Sequence, residues 1–189
     1  MQTSFRELIT ALHGMGFGAF FVFAFSGALI ELYRIFAPER SSPLSAGERK
    51  GLRVYLVAMV LLGWSAVLSG AYLVYPWYRA HPPAGVTDLA GYPQRILMAS
   101  PMTSGWHSLG MEWKEHVAWF APIAMTMVAY VFITYGADLS RHRQVRKAVF
   151  VFALAAFGAA GVAGGVGALL NKRAPVQGGG IITLMDGKK

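Results

Sequence analysis

Five histidines are the residues of this chain best equipped for chemistry, and their positions are uneven. His13 lies inside a long apolar run, His116 opens another, His81 and His107 fall between them, and His142 stands alone in a basic stretch. His13 is followed at spacings of three and four by Phe17, Phe20, Ala24, Gly27 and Glu31. His116 is followed in the same way by Phe120, Ile123, Met127 and Tyr130. On a helix such spacing stacks residues on one face, so each stripe predicts an imidazole above apolar groups turned towards a neighbouring helix. Two imidazoles at similar depth on neighbouring helices can ligate one haem iron from opposite sides. Gly14, Gly16 and Gly18 thin the chain around His13, where a porphyrin needs space, and Arg79, Arg95 and Lys114 are expected to pair with its propionates. His107 is the substitute for His116 as second ligand. Nine residues away, it points to the other side of any continuous helix, so the two do not easily share one iron.

Plainer roles compete with these. An interfacial histidine bonded to water or a carbonyl accounts for His81 and His142, and for His116 this reading and ligation are evenly matched. His13 is different, because a polar side chain within a bilayer helix is costly and is a functional hypothesis by default. Met98, Met102 and Met111 join His107 and His116 in a set that suits copper, although methionine is also an ordinary apolar residue and the spacing is not specific. Glu31, a turn from Arg34, reads as a snorkelling carboxylate rather than part of a proton path. Glu112 and Glu115 beside His116 are weak grounds for hydrolysis. No P-loop, dinucleotide fingerprint or His-Glu-x-x-His is present. With no cysteine there is no thiolate metal site and no covalent haem, which leaves a non-covalently held cofactor for any redox role.

The elements that must position these residues are hydrophobic helices. Of 189 residues, 55% are hydrophobic and 14% charged, against roughly 25% charged in soluble domains. Four runs, about 9–32, 54–75, 117–135 and 149–170, carry a single charge between them, Glu31. About 20 apolar residues cross a bilayer core, and none of the runs has the alternation of a membrane β-barrel. The expected fold is therefore an all-α integral membrane protein, a four-transmembrane-helix bundle forming one domain, with a long loop 76–116 and a flexible tail 171–189. The first run is too long for the apolar part of a signal peptide and reads as a retained anchor.

Arg34, Arg40, Arg49, Lys50 and Arg53 in one short connection, and Arg141, Arg143, Arg146 and Lys147 in the other, place both in the cytoplasm. The long loop and both termini then face the other side, the periplasm if the membrane is a bacterial inner membrane. The net charge of +8 reflects this flanking pattern and headgroup contacts rather than a nucleic-acid surface. Pro122 is expected to bend the third helix near His116. Gly158, Gly161, Gly164, Gly165 and Gly167 predict a close-packing face on the fourth helix, with room for a flat cofactor as the alternative.

With His13 and its glycines, His116 and four helices over most of its length, the chain resembles the small four-helix b-type cytochrome subunits that anchor respiratory and hydrogenase-like complexes. The resemblance implies a non-catalytic electron-transfer or anchoring subunit of an oxidoreductase complex. It further implies haem b near the periplasmic face, other subunits as partners, and exchange of electrons with quinone or a periplasmic carrier. Members commonly hold two haems, but here the cytoplasmic halves of the helices lack histidine, so one is expected. The alternatives are a cofactor-free structural subunit and a component of copper or small-solute transport.

Overall fold

The computed structural model describes residues 2–36, 44–136 and 139–183, without the side chains of Phe36 and Ser140. Arg40 and tail residues 184–189 lie outside the described residues. Four long helices dominate: α1 (Phe5–Ile35), α2 (Ala46–Tyr78), α4 (Pro101–Tyr135) and α5 (Arg143–Arg173), with a short α3 (Pro93–Met98) between the second and third of them. Each long helix is long and apolar enough to cross a membrane. At 1.5 Å per residue they measure about 46–52 Å, so their ends extend well beyond a hydrocarbon core of roughly 30 Å.

Two of the helices start at capping boxes. At α1 the Glu7 backbone N–H donates to Ser4 Oγ at 3.2 Å, and the Ser4 N–H donates to the Glu7 carboxylate at 2.8 Å. Ser45 and Glu48 repeat the arrangement at α2 with the same distances. Each box satisfies two backbone donors that the first turn leaves over. The helices close a bundle in which α1 packs on α2, α2 on α4, α4 on α5, and α5 back on α1. Its centre holds Phe25, Leu32, Leu56, Met125 and Phe132, while large apolar side chains such as Phe23, Leu61 and Val151 point outwards.

The structure corrects the expected helix ends. The segment 76–116 is not one long loop, because α2 runs on to Tyr78 and α4 already begins at Pro101. Hydrophobic runs mark only the apolar stretch of each helix, and the polar turns added at this end are invisible to them. The residues from Tyr78 to Met111 fold back, with Tyr78, Leu97 and Met111 burying against Leu170 and Val176 in a second small core. The described part of the tail is held as well. Strand β2 (Ile181–Thr183) pairs antiparallel with β1 (Gln2–Ser4), setting Thr3 opposite Ile182.

Both histidine stripes also need correction. Residues 12–19 of α1 form a π-helix, whose wider turn takes an extra residue. The inward face beyond it is Phe21, Phe25, Ala28 and Leu32, each one residue later than the expected Phe20, Ala24, Gly27 and Glu31. On α4 the inward residues are Ala121, Met125, Val128 and Phe132, and the expected stripe of Phe120, Ile123 and Tyr130 is exposed. The regular helix lapses at Ala118 and Trp119, one turn before Pro122 and beside His116, where the proline ring disturbs the preceding turn. On α5, alanines 153, 156, 160 and 163 make the close packing. Gly158, Gly161, Gly164 and Gly165 face outwards with open space where a Cβ would stand.

Candidate functional site

The first turn of the π-helix brings His13 against α2 at a Ser-Gly pair. A Cβ on Gly70 would come within 2.6 Å of His13 Cε1, so the ring lies directly on bare backbone. The Ser69 hydroxyl donates to the Ala66 carbonyl at 3.1 Å, and its oxygen is 3.1 Å from His13 Nδ1. A hydroxyl has one hydrogen, so with that hydrogen committed its oxygen accepts from Nδ1–H. The ring is thereby fixed with its proton on Nδ1 and a lone pair on Nε2. The Ala66 carbonyl also accepts from the ring, and among the described residues no side chain is hydrogen-bonded to Nε2.

From α4, Lys114 reaches the same region. Its position falls on the line Ala118, Ala121, Met125 that faces inwards, and its Nζ rests over α5, where a Cβ on Gly167 would approach within 2.8 Å. Lys114 is within electrostatic range of His13. Among the described residues its ammonium has no ion-pair or hydrogen-bond partner. The site thus joins an anchored imidazole with a free nitrogen to an unpaired cation, between glycines of two further helices.

The other expected participants are arranged differently. His116 follows Lys114 by two residues, which on a helix turns it about 200° away, and it is exposed. Its Nδ1–H donates to the Glu112 carbonyl at 2.7 Å. The structure therefore does not bring His116 face to face with His13. His107 is buried, with Tyr78 Oη 2.9 Å from Nδ1 and Gln94 Nε2 3.1 Å from its own Nε2. Both ring nitrogens of His107 are thus hydrogen-bonded within the protein. No family model, curated protein or solved structure matches the chain.

Of the three basic residues expected near the propionates, only Lys114 is free. Arg79 binds Glu112 at 3.0 Å and Glu115 at 3.3 Å and lies 5.3 Å above the Tyr75 ring. Burial works against the charge of Arg79, but the Glu115 carboxylate and Tyr75 outweigh it and raise its pKa. Arg95 donates to His81 on the exposed surface. The methionines do not assemble with histidines either, since Met111 is buried while Met98 and Met102 are exposed. Among the described residues no three His, Asp or Glu side chains form a metal-binding group. Ser69 and Gly70 were not anticipated from the sequence, whereas Gly167 belongs to the glycine run already singled out on the fourth helix. The signal for the first two was a serine beside a glycine in an otherwise apolar run.

Proposed function

We propose that the chain is an integral membrane electron-transfer subunit that holds one b-type haem through His13, as part of a larger redox assembly. The apolar outer surface of four long helices supports residence in a bilayer, where lipid replaces water as the solvent of exposed leucine, valine and phenylalanine side chains. The basic connections favour a bacterial inner membrane with the α1–α2 and α4–α5 connections in the cytoplasm and the β1–β2 end in the periplasm.

The observation that carries the haem reading is the anchored His13 ring. Metal-ligating histidines characteristically donate one ring N–H to a protein acceptor, which fixes the tautomer and leaves the other nitrogen for the metal. Ser69 supplies that acceptor and Nε2 is the nitrogen left over. Lys114 provides the cation for a propionate that would otherwise be costly to bury. A bound haem would supply one-electron transfer. The chain brings one imidazole to this place, so His13 is the residue that would hold the haem. The small mass outside the helices favours exchange of electrons with a partner subunit, quinone or a periplasmic carrier over catalysis on a substrate of its own.

Protein purified from haem-replete cells should show a reduced-minus-oxidised haem spectrum, and His13→Ala should abolish it while the protein still inserts. An unchanged spectrum in His13→Ala, or no haem in the wild type, would leave the His13–Ser69 hydrogen bond as a link between helices and the chain as a structural subunit.

A further inference from the structure

The two hydrophobic cores of the protein stop short of each other near His13. Towards that level the main core ends at Phe21 on α1, Ala121 on α4 and Ala160 on α5, and the second core begins at Met111 on α4 and Leu170 on α5. Lys114 and Gly167 fall between those limits, level with the contact of His13 on Ser69 and Gly70. Two polar groups here are uncommitted among the described residues. Lys114 is largely buried, with its Nζ over Gly167, and has no hydrogen-bond or ion-pair partner. The carboxylates beside it in sequence are spent elsewhere, since Glu112 and Glu115 bind Arg79 at 3.0 Å and 3.3 Å. Thr10 stands three residues before His13, on the same face of α1, and its hydroxyl is buried without a partner.

A buried hydroxyl without a partner is costly and a buried cation without one is more so. Both are donors, so a ligand that fills this layer gains most by bringing acceptors with negative charge. A carboxylate supplies them, forming charge-assisted hydrogen bonds and balancing the ammonium. A neutral ester of the same shape accepts more weakly and leaves Lys114 an unbalanced charge in apolar surroundings. We infer that this layer selects its porphyrin by the free propionate carboxylates, which Lys114 and Thr10 recognise, with Thr10 a specificity-determining residue beyond the ligand and the cation already named. The inference rests on the haem reading above and deepens it.

The test titrates haem and haem dimethyl ester into the full-length apoprotein in lipid nanodiscs and follows the Soret absorbance. The two molecules carry the same iron and differ only at the carboxylates. The wild type should bind haem roughly 10–100-fold more tightly than the ester, the range for hydrogen bonds to a charged group. Lys114→Met keeps the reach of the side chain without its charge, so haem should bind more weakly and the ester more tightly. Misfolding weakens both, so opposite changes isolate the carboxylate contact. Thr10→Val should weaken haem about tenfold and leave the ester unchanged. His13→Ala should weaken the two alike. Equal wild-type affinity for haem and ester, a parallel change of both in Lys114→Met, or an undiminished preference in Thr10→Val overturns the inference while the haem reading stands. Wild-type protein that binds neither, or His13→Ala that binds both as before, overturns the haem reading itself.

Discussion

An imidazole inside an apolar bundle is useful as a ligand only while its neighbours agree on which nitrogen keeps the proton, and at His13 that agreement depends on one serine. Ser69→Ala removes the acceptor of Nδ1–H without touching Nε2. It should weaken haem retention roughly 10–100-fold, as loss of an outer partner typically does, and leave the helices intact. A haem titration of the apoprotein with circular dichroism as control measures this, and equal affinity would show that Ser69 does not orient the ring. His116→Ala should leave the haem spectrum unchanged, because its ring is turned outwards; a loss of signal would mean that α4 rotates when haem binds. His107→Ala acts on stability instead. It strands Tyr78 and Gln94, and each buried polar group left unpaired costs about 1–3 kcal/mol, so the thermal midpoint should fall with no selective effect on haem. That His13 is a polar residue set within an apolar helix was legible in the sequence because it interrupts an apolar run. Its partner was not, since Ser69 lies 56 residues away and meets it only when two helices pack.

Among the elements, spacing rules succeeded where the helix is regular and failed where its turn widens. The π-helix at 12–19 shifts the inward face of α1 by one residue, and nothing in a count of threes and fours announces that shift. Hydrophobic runs located all four helices but not their polar ends, which lie in sequence that could equally have been loop. The glycines of α5 were read as its packing face, yet alanine is the smallest residue that still fills the space between these helices, and alanines occupy the seam. Substitutions distinguish the two faces. Ala156→Leu should overpack the bundle and cost about 1–3 kcal/mol, whereas Gly161→Ala should be neutral or stabilising by up to about 1 kcal/mol through helix propensity. Thermal unfolding of the two variants in detergent gives the comparison, and a larger loss in Gly161→Ala would show that the outward face is packed after all. Gly70→Ala makes a third case. Its methyl would press on the His13 ring, so it should disturb haem retention more than stability.

At the scale of the molecule, the basic connections and the β1–β2 end are separated by the length of the bundle. Cysteines at Gly47 and Gly91, both with open space around them, should react with an impermeant reagent from opposite sides of the membrane, Gly47 from the cytoplasm. Labelling of Gly91 from the cytoplasm would invert the arrangement. The two-stranded sheet has a different kind of consequence, one in time. Thr3 is synthesised long before Ile182, so β1 has no partner until the chain has been made as far as β2. The latch beneath α1 closes only when α5 has been made and the chain beyond it has come back to β1. Until that moment the start of α1, with His13 little more than two turns beyond the latch, is held by the Ser4 capping box and its helix neighbours alone.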